Sequence, residues 1–308
     1  MKAVVSSVVI YILFAIALSV SAFSQHDSLS TVQIKPWHVG LGNGIFQHSY
    51  EEPGLMKEKG WSPFENLWLF LGYNDKKSMF AVEFEAAEAT ITYDGALQEI
   101  GSTEVIPVTV KKIKDTFTEI RAFYGISYRV RPVLFVTPYV GIGARFWNDD
   151  LSTWENGYRR ESRYVYGPLG VQSRLQLKDR DFSLRLEYDV LLSGRQISHL
   201  SDLNGTKYLN YPFLYPNTEK HFDDVTNWQH RGYGLGAFIQ TDDTKGVAVV
   251  AYIRYWNVAT SDIAYFHYRI VETQAGQSPL VSEGDLPGFE PENHTIEFGI
   301  HTKLYLRF

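Results

Sequence analysis

The stretch from Asn293 to Phe308, NHTIEFGIHTKLYLRF, decides the fold class. From Ile296 onward, one face carries Ile296, Phe298, Ile300, Leu304, Leu306 and Phe308, and the other carries Glu297, Gly299, His301, Lys303, Tyr305 and Arg307. A repeat of two residues places successive side chains on opposite faces of an extended chain. The stretch is therefore predicted to be a β-strand with one apolar and one polar face.

This strand ends on an aromatic residue, Phe308, without a polar tail. An alternating strand that ends in this way resembles the terminal strand of bacterial outer-membrane β-barrels, a family whose assembly machinery reads that strand as a signal. The resemblance implies that Phe308 is an assembly signal and that the barrel assembly machinery is a partner. A soluble β-sandwich is the alternative, because a soluble sheet with one wet face shows the same alternation.

The composition is rich in aromatic residues without being strongly apolar. The chain has 20 Tyr, 19 Phe and 7 Trp, and its mean hydropathy is −0.19. Such a balance is typical of barrels in which alternate residues face lipid and aromatic girdles lie at both interfaces. The net charge of −6 gives no support to nucleic-acid binding. The chain has no Cys, which excludes disulfides and cysteine zinc sites, and no metal or cofactor is expected.

Residues 1–22 have the features of a secretory signal peptide. Lys2 precedes an apolar run from Ala3 to Val20, and small residues follow that run. Cleavage is expected after Ala22 or Ser24, and the barrel is expected over residues 23–308. A membrane-anchor helix is the alternative, because the apolar run has nearly the length of a helical span.

Ten segments are predicted to be spanning strands. They cover residues 37–46, 67–73, 80–93, 116–130, 134–146, 163–177, 182–192, 230–240, 247–259 and 296–308. Short turns at Asn74, Arg131, Lys178 and Asp242 alternate with longer connections that begin at Gln47, Asp94, Asn148, Gly194 and Thr260. Short periplasmic turns and long extracellular loops are typical of outer-membrane barrels. The sequence therefore predicts an all-β fold, a ten-stranded antiparallel transmembrane β-barrel in the outer membrane with both termini in the periplasm.

The polar faces of these strands predict a charged lumen. If the apolar faces point to lipid, the inward ionisable side chains are Glu83, Glu85, Glu119, Arg121, Arg129, Arg145, Arg174, Arg185, Glu187, Asp189, Arg254, Glu297, Lys303 and Arg307. Charges removed from water are costly unless they are paired, and small barrels have interiors that side chains can fill. A cross-lumen charge network that closes the barrel is predicted, and a narrow pore is the alternative.

The number of strands, the five outer loops and the length resemble the omptin proteases of Gram-negative outer membranes. That resemblance implies an Asp pair in the second loop region and an Asp-x-His pair in the fourth, which together activate a water. Here the second region offers isolated Asp94 and Asp115, and the fourth offers His199 and Asp202 in altered order and spacing. We therefore predict no catalytic site, and we keep an omptin-like endopeptidase that uses these four residues as the alternative.

The predicted outer end carries the remaining candidates. Arg159, Arg160 and Arg163 form a basic cluster suited to lipopolysaccharide phosphates, and a solvated rim is the alternative. Asp149 and Asp150 are expected to be solvated turn residues. The two longest loops, Gly194 to Gln229 and Thr260 to Glu292, are the expected working surface, because function in such scaffolds lies on loops held by a rigid frame. A structural or surface-binding scaffold is predicted, with an extracellular ligand that the sequence does not identify.

Overall fold

The computed structural model describes residues 37–63, 66–75, 77–98, 105–177, 180–207, 217–243 and 246–307. The predicted signal peptide and Phe308 lie outside these residues. The described strands are β1 (Trp37–Glu52), β2 (Met56–Pro63), β3 (Asn66–Asn74), β4 (Ser78–Gln98), β5 (Val105–Ile126), β6 (Tyr128–Arg131), β7 (Leu134–Asp150), β8 (Arg159–Gln176), β9 (Arg180–Ser198), β10 (Gly205–Lys207), β11 (Asn217–Phe222), β12 (Val225–Gln229), β13 (Gly232–Asp243), β14 (Val247–Val258), β15 (Ala264–Thr273), β16 (Leu280–Gly288) and β17 (Asn293–Arg307). Two 3₁₀ turns, Leu151–Thr153 and Leu200–Leu203, interrupt them. Within these ranges no helix is long and apolar enough to cross a bilayer.

The strand pairings form a ring of ten antiparallel ladders. β1 pairs with β2 and β3, which both pair with β4, and the order continues through β5, β7, β8 and β9. β9 pairs with β12 and β13, β13 with β14, β14 with β17, and β17 pairs with β1. His38 lies opposite Arg307, so the first and last described strands meet at the same end of the barrel. The prediction of a ten-stranded antiparallel barrel is confirmed.

The outward faces of the strands carry an apolar band. Leu69, Ile120, Val140, Leu169 and Ile300 are each between 44 and 57 % exposed. The inward faces are buried and largely polar or aromatic. This arrangement is the reverse of a soluble protein and is the one expected of a barrel whose outer wall meets lipid.

The strands extend further on the long-loop side than the sequence predicted. Residues 47–62 were expected to be a polar loop, but β1 and β2 form a continuous hairpin there and turn at Gly54, which has a φ of +80°. The prediction was wrong because inward positions at this end are polar, so polarity alone did not separate strand from loop. The two longest loops carry β10, β11, β15 and β16, which form a separate four-stranded sheet.

Candidate functional site

The barrel interior is crossed by ion pairs at the depth of the apolar band. Arg254 makes a two-pronged contact with Glu119, with N···O distances of 2.6 and 2.8 Å. The Arg121 guanidinium lies 2.5 Å from a Glu83 carboxylate oxygen and 3.1 Å from a Glu187 carboxylate oxygen, so it bridges the two carboxylates. Arg121 and Glu83 are cross-strand partners on β5 and β4, whereas the Arg121–Glu187 and Arg254–Glu119 contacts join strands that are not neighbours. Each of these side chains is buried.

A third group of contacts lies beside these pairs. Arg145 Nη1 donates to Glu297 Oε2 at 3.0 Å, and His48 Nδ1 lies 3.1 Å from Glu297 Oε1. Lys303 Nζ lies 3.2 Å from the centroid of the Trp68 ring, which is a cation–π contact. The sequence prediction missed His48, which is fully buried, because it ended the first strand at Phe46 and placed His48 in the following loop.

The remaining predicted lumen residues have these partners. Arg185 binds Glu83 at 3.2 Å, Asp189 lies 3.9 Å from Arg254, Glu85 lies 3.6 Å from His301, Arg174 donates to the Asp75 carbonyl at 3.1 Å, and Arg307 pairs with Asp242 at 2.5 Å. Arg129 differs from the prediction, because it is exposed and donates to the Pro132 carbonyl at a short turn. Arg129 lies opposite the buried Phe135 in the β6–β7 ladder, but every residue of β6 is exposed, so Arg129 lies at the short-turn end of the barrel and outside the charge network.

A second charged group fills the mouth of the barrel on the long-loop side. Its centre is Arg160, which binds Glu52 at 2.8 Å, Glu58 at 2.9 Å and Asp149 at 2.7 Å. The neighbours of these residues along β2, β5, β7 and β8 that face outward are polar: Lys57, Lys59, Lys114, Thr116, Asn148, Asp150, Arg159 and Glu161. The mouth group therefore lies above the apolar band.

Two expectations fail at this mouth. Arg160 was predicted to face lipopolysaccharide, but its side chain points inward and is 12 % exposed. Asp149 was expected in a solvated turn, but it is 1 % exposed. Both residues continue the inward parity of their strands, β8 and β7, beyond the ends that the sequence predicted.

Asp115, Glu58 and Asp149 converge in the mouth. One carboxylate oxygen from each lies within 4.8 Å of the others. Trp147 Nε1 donates to Asp115 Oδ2 at 2.8 Å. Burial, and next the Asp149 carboxylate, raise the pKa of both Glu58 and Asp115 well above the ordinary range of a carboxyl group. These residues could hold a cation or share a proton.

A solved outer-membrane protein has the same fold. The crystal structure of outer membrane protease OmpT from Escherichia coli matches with a TM-score of 0.50 and 9 % identity, over 91 % of this chain and 99 % of that one. The fold is that of an outer-membrane β-barrel. The translocator domain of the autotransporter NalP from Neisseria meningitidis matches with a TM-score of 0.33 and 10 % identity, over 96 % of both chains. No protein-family model and no curated protein sequence matches the chain.

The four alternative catalytic residues have separate partners in this outer-membrane barrel. Asp94 is exposed and accepts a hydrogen bond from the Thr109 hydroxyl. Asp115 lies opposite Ala89 in the β4–β5 ladder, and Ala89 is five residues from Asp94 along β4, so the two aspartates are about 17 Å apart. Asp202 accepts two side-chain bonds from Arg159. His199 lies between Asp224 and Glu161, at 2.9 and 3.1 Å. The structure does not bring Asp94 and Asp115 together.

The outer wall above the apolar band carries two arginines from neighbouring strands. Arg163 lies directly opposite Arg195 in the β8–β9 ladder, and Arg195 lies opposite Trp228 of β12. Arg163 binds Glu161, and the Arg195 guanidinium lies 5.8 Å from the Trp228 ring centroid. Of the three arginines predicted to meet lipopolysaccharide, Arg159 and Arg163 are partly exposed, at 42 and 44 %.

The two longest loops are joined to each other above the barrel. β11, from the first loop, pairs with β15, from the second, over six residue pairs from Asn217 to Phe222. β15 then pairs with β16, and β11 pairs with β10. Tyr265 and Leu280 of this sheet are 70 and 67 % exposed. The loops therefore form one hydrogen-bonded surface.

Proposed function

We propose that the protein is a structural or surface-binding scaffold of the outer membrane, with an occluded lumen and a working surface on its extracellular loops. The observation that carries this proposal is the sheet that joins the two longest loops, because loop closure alone does not require strands of this length. Outer-membrane location with both described ends on the periplasmic side, and insertion by the barrel assembly machinery, are part of the same proposal.

The occluded lumen is supported by the buried ion pairs. Two hydrogen-bonded groups cross the lumen, Glu119–Arg254 and Glu83–Arg121–Glu187. Water would have to replace their hydrogen bonds before an ion could pass. A cavity of about 30 Å³ lies beside them, lined in part by Glu85, Tyr252 and Glu297. A charge that enters this space meets both signs at close range, which does not favour transport of either.

Planar-bilayer recordings test the scaffold against the narrow pore. The refolded protein is expected to give no steady conductance. Arg254→Ala is expected to open brief small channels, because the variant leaves the Glu119 carboxylate without its two-pronged partner and admits water. Large steady channels in the unchanged protein would replace the scaffold proposal with a pore.

Peptide hydrolysis is the second candidate, because one of the matching solved structures is a protease and because His199 is flanked by two carboxylates. The test is cleavage of a peptide library rich in basic residues by refolded protein with lipopolysaccharide present. The scaffold proposal predicts no turnover. Cleavage that disappears in His199→Ala and persists in His230→Ala would overturn it.

Lipopolysaccharide contact at the outer wall completes the proposal. Arg163 and Arg195 are like charges directly opposite in a ladder, which is unfavourable, and the Glu161 carboxylate pairs with Arg163 alone of the two. Arginine forks suit phosphate oxygens. Binding to vesicles that contain lipid A phosphates is expected to weaken in the Arg163→Ala/Arg195→Ala variant, whereas Lys57→Ala, on the far side of the mouth, serves as the control.

A further inference from the structure

Three buried carboxylates in the mouth each keep one oxygen that no donor reaches. Glu58 and Asp115 are 0 % exposed and Asp149 is 1 % exposed. Glu58 Oε1 and Asp149 Oδ2 accept from Arg160, and Asp115 Oδ2 accepts from Trp147. The other oxygens, Glu58 Oε2, Asp115 Oδ1 and Asp149 Oδ1, are buried without a hydrogen-bond donor among the described residues.

Such oxygens are costly unless something positive compensates them. A buried acceptor without a partner loses its hydration and gains nothing in exchange. Arg160 supplies one positive charge to Glu52, Glu58 and Asp149, and Asp115 adds a fourth carboxylate. Four carboxyl groups therefore lie around a single guanidinium, which can neutralise only one of them when they are ionised.

The three carboxylates lie close enough together to share one divalent cation. Ca²⁺ binds oxygen at about 2.3–2.6 Å, so ligands on opposite sides of the ion are about 4.6–5.2 Å apart. One oxygen from each of the three residues lies within 4.8 Å of the others. Mg²⁺ demands near-ideal octahedral geometry and usually keeps several waters, so three convergent protein carboxylates in a buried site favour Ca²⁺.

We propose that Glu58, Asp115 and Asp149 bind a divalent cation of the size of Ca²⁺ in the mouth of the barrel. The three ligands come from β2, β5 and β7, so the ion ties together strands on one side of the mouth. Arg160 and Trp147 orient the ligands through the opposite oxygens. The inference does not depend on the scaffold proposal, because it concerns the mouth and not the loop sheet.

Terbium luminescence tests the site directly. Tb³⁺ takes the same oxygen ligands as Ca²⁺ and emits when a nearby tryptophan is excited. Trp147 is such a tryptophan, because its indole N–H is hydrogen-bonded to Asp115. Full-length mature protein, refolded in detergent, is titrated with Tb³⁺ and then with Ca²⁺ or Mg²⁺. We expect saturable emission that Ca²⁺ displaces at lower concentration than Mg²⁺, and calcium is expected to raise the midpoint of thermal unfolding.

Matched variants identify the ligands. Asp115→Asn and Glu58→Gln keep the shape of each side chain and are expected to weaken the affinity for Ca²⁺ by more than about tenfold. Asp150→Asn, which changes the neighbouring outward carboxylate on β7, is expected to bind as the unchanged protein does. Gel mobility before and after heating reports that each variant is folded.

Two results would overturn the proposal. The first is terbium emission that is absent, or that is equal in the unchanged protein and in Asp115→Asn. The second is a midpoint of thermal unfolding that does not change with Ca²⁺ and instead rises as the pH is lowered. In that case a proton shared by Glu58 and Asp149 would occupy the site.

Discussion

Arg160 brings one positive charge to three buried carboxylates that belong to three strands. It contacts Glu52 of β1, Glu58 of β2 and Asp149 of β7, and its guanidinium lies 5.6 Å from the Tyr50 ring centroid. The fork geometry of Arg, with its five donors, satisfies all three at once, which the single ammonium of Lys would not. At the scale of single residues, the mouth depends on this side chain.

Arg160→Ala is therefore expected to destabilise the folded barrel by about 3–5 kcal/mol, because removal of one partner leaves buried charges uncompensated. The measurement is urea unfolding followed by tryptophan fluorescence. Arg159→Ala is the control, since Arg159 is 42 % exposed and its pair with Asp202 contributes about 0–1 kcal/mol. Equal losses in the two variants would contradict the role given to Arg160.

Glu290 gives the mouth a dependence on pH. It lies in the outer connection before β17, where Tyr50 Oη donates to it at 3.1 Å. Burial, and next the Glu52 carboxylate, raise the pKa of Glu290 from 4.5 to about 8. Its protonated form is favoured in the folded state, so this residue disfavours folding progressively as the pH rises from about 4.5 to about 8.

Glu290→Gln is expected to raise the unfolding midpoint at pH 8 and to leave it nearly unchanged at pH 4.5, because Gln stays neutral and still accepts from Tyr50. Unfolding curves at both pH values measure this. Glu292→Gln, two residues away and exposed, provides the comparison. A gain that is the same at both pH values would argue against burial of the charge as its cause.

At the scale of elements, the junction between β1 and β17 closes the ring. Gly44 lies opposite His301, and a Cβ at Gly44 would meet the Ile300 carbonyl oxygen at 2.1 Å and the His301 Cα at 2.7 Å. Those atoms belong to the backbone of the neighbouring strand, which cannot rotate away as a side chain can. The two strands approach each other this closely because position 44 has no side chain.

Gly44→Val is expected to force β1 and β17 apart and to lower stability by about 1–3 kcal/mol or more, the usual cost of overpacking. The yield of heat-modifiable barrel after refolding measures the effect. Gly167→Ala is the matched control, since its nearest atoms would be 3.8 and 3.9 Å from the new Cβ. A normal yield for Gly44→Val would show that the junction tolerates a wider spacing.

At the scale of the whole molecule, the ring of strands and the loop sheet have separate strand ladders. The β14–β17 ladder runs from the Val247–Leu304 pair to the Val258–Asn293 pair and does not include the β15–β16 hairpin that connects the two strands. Ala264 and Gly288 are cross-strand partners at the base of that hairpin. Their positions allow a short turn to replace the residues between them.

Replacement of residues 265–287 by a short Gly-Ser turn is therefore expected to leave the barrel folded, with an unfolding midpoint within a few degrees of the unchanged protein. The sheet that contains β11 and β15 would be lost, and with it any binding by that surface. Heat modifiability and circular dichroism measure the first outcome. A variant that no longer refolds would show that the loop sheet is part of the barrel's folding unit.

The sequence by itself determined which way the strand side chains point, because the direction of a side chain in an extended chain is a local property with a period of two. That period placed Glu119, Arg121 and Arg145 in the lumen, and the alternation of short and long connections predicted the ten strands. Carried one to three residues further along β5 and β7, the same parity would have placed Asp115 and Asp149 inward as well.

Only the tertiary structure decided which inward groups meet. Arg254 and Glu119 are 135 positions apart in the chain, and Arg145 and Glu297 are 152 apart. The depth of each residue in the barrel depends on the stagger that accumulates over all the ladders between the two strands. A shift of two residues in one ladder would leave the same side chains facing inward but would change which of them are in contact across the lumen. The convergence of Glu58, Asp115 and Asp149 is likewise a property of the closed ring, because their strands are brought to one level by pairings that no single segment contains.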